Sequence, residues 1–162
     1  MTSLMEPDKI IATLREGPGR IEVAMQGLSD DQLASHPEEN EWSPNEILVH
    51  LRACADVWGD VRVIRMLAED EPVIRAVNPK RWARETNYSE MRFRQSLAEF
   101  RSQRERLLSR LTFLTLEQWQ RGAMFTGGGA PRHYTVHTEA DALARHERAH
   151  LRQIEHRCQL LR

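Results

Sequence analysis

The sequence lacks the features that identify several common classes of protein. It contains two cysteines, Cys54 and Cys158, whose separation matches no paired-cysteine metal motif and gives no basis for a disulfide scaffold. No segment resembles a signal peptide, and no apolar run reaches the roughly 20 residues that a membrane-spanning helix needs. These absences predict a cytoplasmic protein that has no membrane partner.

Neither sign of charge is in excess. The 162 residues include 23 Lys and Arg against 24 Asp and Glu, and the sequence pI is about 6.7. A chain with this balance has no global attraction to nucleic acid or to an anionic lipid surface. Its length is that of one domain with a substantial core, so we predict a single domain over residues 1–162.

Alternation of apolar and polar residues, the pattern of a half-buried strand, is not sustained anywhere in the sequence. Apolar residues instead recur at helical spacing in four long segments, approximately residues 7–28, 44–68, 87–111 and 135–160. The predicted fold is therefore all-α, a four-helix bundle with irregular connections. In such bundles, cofactor sites are built from inward-facing residues of neighbouring helices.

Local signals refine these helices. Residues 17–19 (GPG) should kink the first helix or divide it, because proline removes a backbone donor and crowds the preceding turn. Residues 43–46 (SPNE) are a helix-start signal, and residues 87–90 (NYSE) have a similar capping pattern. Residues 72–86 are predicted to form a loop with a short helical turn near Arg81. The third helix should carry a solvated face that includes Arg101, Arg104, Arg106 and Arg110.

A histidine pair on the last helix is the strongest functional signal. His146 and His150 are four residues apart, which puts both imidazoles on one helix face, about 40° apart. Apolar residues flank this face on both sides, so the pair should point inward. Buried polar side chains need a partner, and a metal ion would supply one. The polar column on this face comprises Glu139, His146, His150, Gln153 and Arg157.

The second helix supplies a third inward histidine, His50. Its neighbours on the same face, all within about 60°, are Ile47, Cys54, Val57, Val61 and Ile64. If the two helices are adjacent, His50, His146 and His150 can form the three-ligand, open-position site typical of catalytic zinc, which other divalent metals also accept. Such an ion can activate water or a substrate thiol.

Interpretations without a metal stay open for these histidines. An inward histidine such as His50 is often a hydrogen-bonded core residue, and histidine pairs at this spacing also arise by chance on surface helices. His133 and His137 have the same spacing but straddle the start of the last helix beside a glycine-rich turn, and we predict that both are exposed. His36 is predicted to lie in a loop.

Residues 146–150 (HERAH) also match the His-Glu-x-x-His pattern of zinc proteases, in which Glu147 would be the general base. His156 stands where some of these proteases have a third ligand, but on a continuous helix it lies about 100° from the pair. Where those proteases have a glycine that lets the chain turn out of the helix, this sequence has Gln153. Glu147 with His150 is likewise a single Glu-x-x-His of the di-iron type, whose second copy is missing. Neither class is favoured.

Two motifs together carry a resemblance to a known family. Residues 42–51 (WSPNEILVHL) and 146–154 (HERAHLRQI) look like the Trp-Ser…His segment and the His-x-x-x-His segment of the DinB superfamily of four-helix-bundle proteins. The match in order and spacing covers nearly the whole chain. The resemblance implies that His50, His146 and His150 bind one divalent metal, commonly zinc or nickel.

The resemblance also implies a class of function. Activities assigned in the family include transferases and isomerases that use low-molecular-weight thiols, and some hydrolase-like proteins. We therefore predict a metal-dependent enzyme that acts on a small molecule through an activated thiol or water, with no nucleic-acid partner. The alternative is a non-catalytic helical module for binding or interaction that retains the fold. A homodimer is compatible with a bundle of this size.

The spacing identifies no acid or base beside the metal, so the catalytic residues stay unassigned. Gln153 and Glu139 share the histidine column and are candidates to orient a ligand or a bound water. Glu147 is interpreted as a residue that supports the metal ligands from behind or faces solvent. Cys54, one turn from His50, is predicted to be a buried core thiol in preference to a ligand.

Overall fold

Four long helical segments form the body of the molecule, which the computed structural model describes over residues 3–162. They are α1 (Pro7–Ala24), the helix that runs from α3 (Pro44–Cys54) through a π-helical stretch (Ala55–Val63) into α4 (Ile64–Ala68), α6 (Phe93–Leu111) and α8 (Val136–Leu160). The shorter helices are α2 (Asp30–Ala34), α5 (Pro79–Glu85) and α7 (Leu116–Trp119), with a 3-10 turn at Tyr88–Glu90. The predicted helical bundle is confirmed.

Helix packing brings the two histidine-bearing helices together. α8 packs against α1, α3 and the π-helical stretch, and α6 also packs against α1 and α3. The buried apolar side chains form two clusters, one around Leu14 and Leu143 and the other around Ile47 and Phe100. The adjacency of α3 and α8, which a shared histidine site requires, is therefore met.

A small sheet departs from the predicted all-helical fold. β1 (Val73–Arg75) pairs in parallel with β2 (Gly122–Thr126), which pairs antiparallel with β3 (Arg132–Thr135). Strands of three to five residues are too short to show sustained alternation, so the expectation of no sheet is wrong. The glycine-rich residues 127–131 connect β2 to β3.

The first helix is not divided at residues 17–19, and it ends at Ala24, not at residue 28. Gly17 and Pro18 are both buried. Packing of α1 against α8 stabilises the helix at the point where proline cannot donate a backbone hydrogen bond. A Cβ at Gly17 would overlap the carboxylate of Glu147 on α8. Glycine therefore permits the close approach of the two helices at this point.

The helix start predicted at Ser43 is confirmed, and three other helices begin with the same capping chemistry. Capping boxes form at Ser29, Ser43, Thr115 and Thr135. The predicted start at residues 87–90 is wrong, since these residues form the 3-10 turn and α6 begins at Phe93. The Tyr88 hydroxyl donates to the Asp56 carboxylate at 2.5 Å, a contact that holds this segment against the π-helical stretch.

The segment predicted as a loop, residues 72–86, contains both β1 and α5. The helical turn expected near Arg81 is present and extends over Pro79–Glu85. Asn78 caps it, because its side-chain oxygen accepts a hydrogen bond from the backbone N–H of Lys80 at 2.9 Å. Within residues 3–162, no helix has the length and apolar character needed to cross a membrane.

Candidate metal centre

His50 on α3 and the pair His146 and His150 on α8 converge on one point. The Nε2 atom of His146 lies 3.1 Å from the Nε2 of His50 and 3.1 Å from the Nε2 of His150. Metal-binding nitrogens of all three rings lie within 4.8 Å of one another. The rings are half-buried. The structure thus brings together the three histidines that the sequence singled out.

A capping box at the start of α3 explains the position of His50. The Ser43 hydroxyl accepts a hydrogen bond from the backbone N–H of Glu46 at 3.2 Å, and the Glu46 carboxylate accepts one from the N–H of Ser43 at 2.8 Å. This reciprocal pair fixes where α3 begins. His50, about two turns later, then points from α3 towards α8.

Three imidazole nitrogens at this separation suit one small divalent ion. A tetrahedral zinc with Zn–N bonds of about 2.0–2.1 Å needs nitrogens about 3.3 Å apart. His150 Nδ1 lies 2.7 Å from the side-chain oxygen of Gln153, which only accepts, so the proton of neutral His150 is on Nδ1 and its Nε2 presents a lone pair. One N–H on His146 can satisfy only one neighbour, whereas a cation would satisfy all three nitrogens.

Burial keeps two of these imidazoles uncharged. It lowers the pKa of His50 to about 4, and the neighbouring His150 and His146 add to the effect. Burial, followed by the proximity of His150, also lowers the pKa of His146 to about 4. Both rings are therefore neutral near pH 7, and neutral imidazole is the form that binds metal ions.

Two tryptophans lie against the cluster. The Trp42 ring centroid is 5.2 Å from that of His50 and 6.3 Å from that of His150, with which it is stacked. The Trp58 centroid is 5.2 Å from that of His146. Aromatic neighbours at these distances pack against the imidazoles and restrict their rotation. Trp42 belonged to a sequence motif without an assigned role, and Trp58 was missed.

Two further residues of the predicted column, Gln153 and Glu139, have different environments. Gln153 accepts the hydrogen bond from His150 Nδ1 and so holds that ring in one orientation and tautomer. Glu139 is buried and pairs with Arg62 at 2.7 Å. Within residues 3–162, Glu139 makes no hydrogen bond to a histidine. The structure therefore places Gln153, but not Glu139, in direct contact with the cluster.

Glu147 lies between α1 and α6 and away from solvent. Its carboxylate forms an ion pair with Arg104, and both side chains are 2% exposed. Burial raises the pKa of Glu147, and the guanidinium opposes that rise. The solvent-facing interpretation of Glu147 is wrong, as is the solvated position predicted for Arg104. An arginine-rich helix face does not reveal which of its members has a buried partner on another helix.

Cys54 is fully buried, as predicted for a core thiol. Its Sγ lies 3.5 Å from His50 Nε2, but it does not belong to the group of converging ligand atoms. Burial raises the pKa of Cys54 to about 12, with Glu147 adding to the rise. The thiol is accordingly protonated near neutral pH.

The remaining histidines lie elsewhere. His36 and His133 are exposed and pair with Glu46 and Glu71, respectively. His156 is exposed on α8, outside the cluster, as its helical position indicates. The expected exposure of His137 is wrong, because this ring is half-buried and its Nε2 lies 2.7 Å from the carbonyl oxygen of Met5.

Two cavities lie close to the histidines. One, of about 460 Å³, is lined in part by His50, Trp42, Lys80 and Arg84. The other, of about 440 Å³, is lined in part by Trp58, Arg62, Tyr134 and Glu139. Both volumes are in the range of small-molecule sites, about 300–1,000 Å³. The first is the one with a histidine of the cluster in its wall.

Comparison with known proteins gives consistent matches. Residues 13–154 match the sequence profile of the DinB superfamily. A protein of Halalkalibacterium halodurans named "Putative metal-dependent hydrolase" is 30% identical over 124 residues, which are 76% of this chain and 70% of that protein. The "Putative metal-dependent hydrolase YfiT" of Bacillus subtilis is 27% identical over 117 residues, 72% of this chain and 65% of the relative.

The fold has a solved counterpart. A structure titled "YfiT from Bacillus subtilis is a probable metal-dependent hydrolase with an unusual four-helix bundle topology" superimposes with a TM-score of 0.79. The match covers 98% of this chain and 90% of the other at 23% sequence identity. It confirms the four-helix-bundle fold that the sequence predicts.

Proposed function

The chain belongs to the DinB superfamily, and on that premise we propose that it is a metal-dependent enzyme in which His50, His146 and His150 hold one divalent ion, zinc or nickel. The observation that carries the proposal is the convergence of three imidazole Nε2 atoms on one point. The names of the relatives, which describe metal-dependent hydrolases, support it.

The reaction is proposed to be hydrolysis of a small molecule or transfer of a group to a low-molecular-weight thiol. An ion held by the three histidines would polarise a water molecule or a substrate thiol and so lower its pKa. Hydrolysis is favoured by the relatives' names, and thiol transfer by the resemblance of the sequence motifs.

The protein's own side chains would prepare the site. Gln153 fixes the orientation of His150, and burial keeps His50 and His146 neutral so that their lone pairs are available at neutral pH. Trp42 and Trp58 pack beside the imidazoles. The cavity beside His50 gives a small molecule access to the cluster.

Metal analysis of the purified protein tests the ligand set. We expect about one divalent ion per chain in the wild type and a large loss of metal in His50→Ala and in His150→Ala. His156→Ala is the matched control, because this histidine is exposed on the same helix and outside the cluster. Metal retained in both cluster variants, or absent from the wild type, would contradict the assignment.

Activity screening tests the enzyme assignment. The metal-loaded protein is assayed with ester and amide substrates and, separately, with low-molecular-weight thiols and electrophilic acceptors. Turnover that His146→Ala abolishes and His156→Ala retains would support a metal-dependent hydrolase or transferase. Stoichiometric metal without turnover of any substrate would favour the non-catalytic binding module.

A further inference from the structure

The cavity beside His50 has a positively charged wall. His50 and Trp42 line one part of it, and Lys80, Ala83 and Arg84 of α5 line another. Residues four apart on a helix share a face, so Lys80 and Arg84 both face this space. The cavity therefore joins two cationic side chains to the histidine cluster within about 460 Å³.

The two cations have no counter-charge of their own. Neither Lys80 nor Arg84 forms an ion pair within the part of the chain that the structure describes, and the Lys80 ammonium lies 5.8 Å from the ring centroid of Trp42. Arg81, on the same helix, pairs with Glu85 at 2.7 Å and does not line the cavity. The unpaired cations are thus the ones that face the space beside His50.

The acidic residue in the cavity wall is already engaged. Glu46 accepts a hydrogen bond from the N–H of Ser43, and His36 Nε2 lies 2.8 Å from the same carboxylate oxygen. This carboxylate therefore serves the start of α3 and the His36 ring. The wall still holds two cationic side chains, Lys80 and Arg84, against this one carboxylate, so its net charge favours an anionic ligand.

The cationic wall is fixed to the histidine-bearing helix. The Trp82 indole N–H of α5 donates to the Asp56 carboxylate at 2.9 Å, and the Tyr88 hydroxyl donates to the same oxygen at 2.5 Å. Gln103 of α6 also donates to Asp56. Asp56 follows His50 on the same continuous helix, so these bonds set the position of α5 relative to the cluster.

We propose that this cavity binds the anionic end of the substrate, a carboxylate or a phosphate group, through Lys80 and Arg84. The guanidinium offers paired N–H donors that match carboxylate and phosphate oxygens, and the ammonium adds a point charge. Trp42, between Lys80 and His50, contacts the apolar middle of the molecule, whose other end reaches the histidines. This inference rests on the proposed function, since the histidine site is the reacting centre.

A matched pair of thiols tests the charge preference. Cobalt-loaded protein is titrated calorimetrically with 6-mercaptohexanoate and with 6-mercaptohexanol, which differ only in the terminal carboxylate. We expect the wild type to bind the carboxylate about tenfold more tightly. The Lys80→Gln/Arg84→Gln double variant should lose that preference without losing cobalt, whereas Arg81→Gln should keep it. Equal affinity of the wild type for both thiols, or an unchanged preference in the double variant, would overturn the proposal.

A second measurement does not need the metal. Inorganic phosphate, compared with chloride at equal ionic strength, should raise the Tm of the chelator-treated wild type and of Arg81→Gln but not that of the double variant. If the wild type binds none of zinc, nickel and cobalt yet shows this selective rise, the proposed metal function fails and the anion site stands. If cobalt binds and neither measurement shows a dependence on Lys80 and Arg84, the anion site fails and the histidine centre stands.

Discussion

Two adjacent ionisable residues of α8, His146 and Glu147, have side chains that point to different helices and contact different kinds of partner. Glu147 is buried against α1 and α6 and has its counter-charge in Arg104. His146 faces α3 and meets two other imidazoles. Among the described residues, the group of potential metal ligands at this point contains histidines alone.

This difference in partners predicts that the ion pair serves folding and that the histidine cluster serves binding. Glu147 and Arg104 neutralise each other's charge within the chain, so loss of either member leaves an uncompensated charge in the core. The histidine cluster brings three ring nitrogens together at one point, where the proposed metal ion would be a partner from outside the chain. Substitutions at the first site should reduce stability, and substitutions at the second should chiefly reduce metal binding.

The largest expected effect is on the buried ion pair. Glu147→Gln should lower the free energy of unfolding by about 3–5 kcal/mol, because Arg104 would remain buried without a counter-charge. Glu155→Gln is the control, since its ion pair with Arg20 is about one-third exposed and should contribute at most about 1 kcal/mol. Denaturant unfolding measures both. Similar small losses in the two variants would show that the buried pair is not needed for folding.

Metal removal should have the next largest effect. A chelator should lower the unfolding free energy of the wild type, by about 2.7 kcal/mol if the free ion was at a hundred times its Kd. The His50→Ala variant should not respond, because its ligand set is incomplete. Thermal unfolding with and without the chelator measures the difference. An equal response in both proteins would place the bound metal elsewhere.

The close approach of α1 to Glu147 predicts a smaller effect. Gly17→Ala should destabilise the protein by about 1–3 kcal/mol, since the added Cβ would overlap a carboxylate that Arg104 holds in place. Gly19→Ala, two residues away, has open space and should stabilise by up to about 1 kcal/mol through helix propensity. Chemical unfolding should therefore give shifts of opposite sign, and destabilisation by both substitutions would contradict the packing argument.

The last expected effect is the pH dependence of the metal-free protein, which appears only under acidic conditions. Because the folded-state pKa values of His50 and His146 are lowered from 6.5 to about 4, folding favours the neutral rings. Their contribution to stability is present above pH 6.5 and is lost as the pH falls towards 4. Unfolding measured across this range should show a shallower dependence in His146→Ala than in His156→Ala. Identical slopes would exclude these imidazoles as the cause.

The histidine cluster could be predicted because each of its members lies on a face that local periodicity defines. His50 follows a capping signal at Ser43 that fixes the start of α3, and His146 and His150 are one turn apart on an uninterrupted helix. The direction in which each histidine points can therefore be predicted from local sequence, without knowledge of which helices are neighbours.

Features that depend on contacts between distant segments cannot be predicted from local periodicity. Arg104 and Glu147 each fit an exposed position on an isolated helix, and only the packing of α6 and α8 around α1 makes them partners. The three-stranded sheet joins residues about 50 positions apart through strands too short to carry a pattern. The hydrogen bond from Tyr88 to Asp56, which holds the 3-10 turn before α6, likewise joins two segments that are distant in sequence.

The π-helical stretch at Ala55–Val63 changes which side chains of the second long helix face α8. Each π turn takes in more residues than the 3.6 of an α turn, so residues four apart stay nearly in line through this stretch. Trp58 and Arg62 thereby follow His50 towards α8, where they meet His146 and Glu139. A deletion that restored α-helical winding would leave His50 in place and turn both of these side chains away from it.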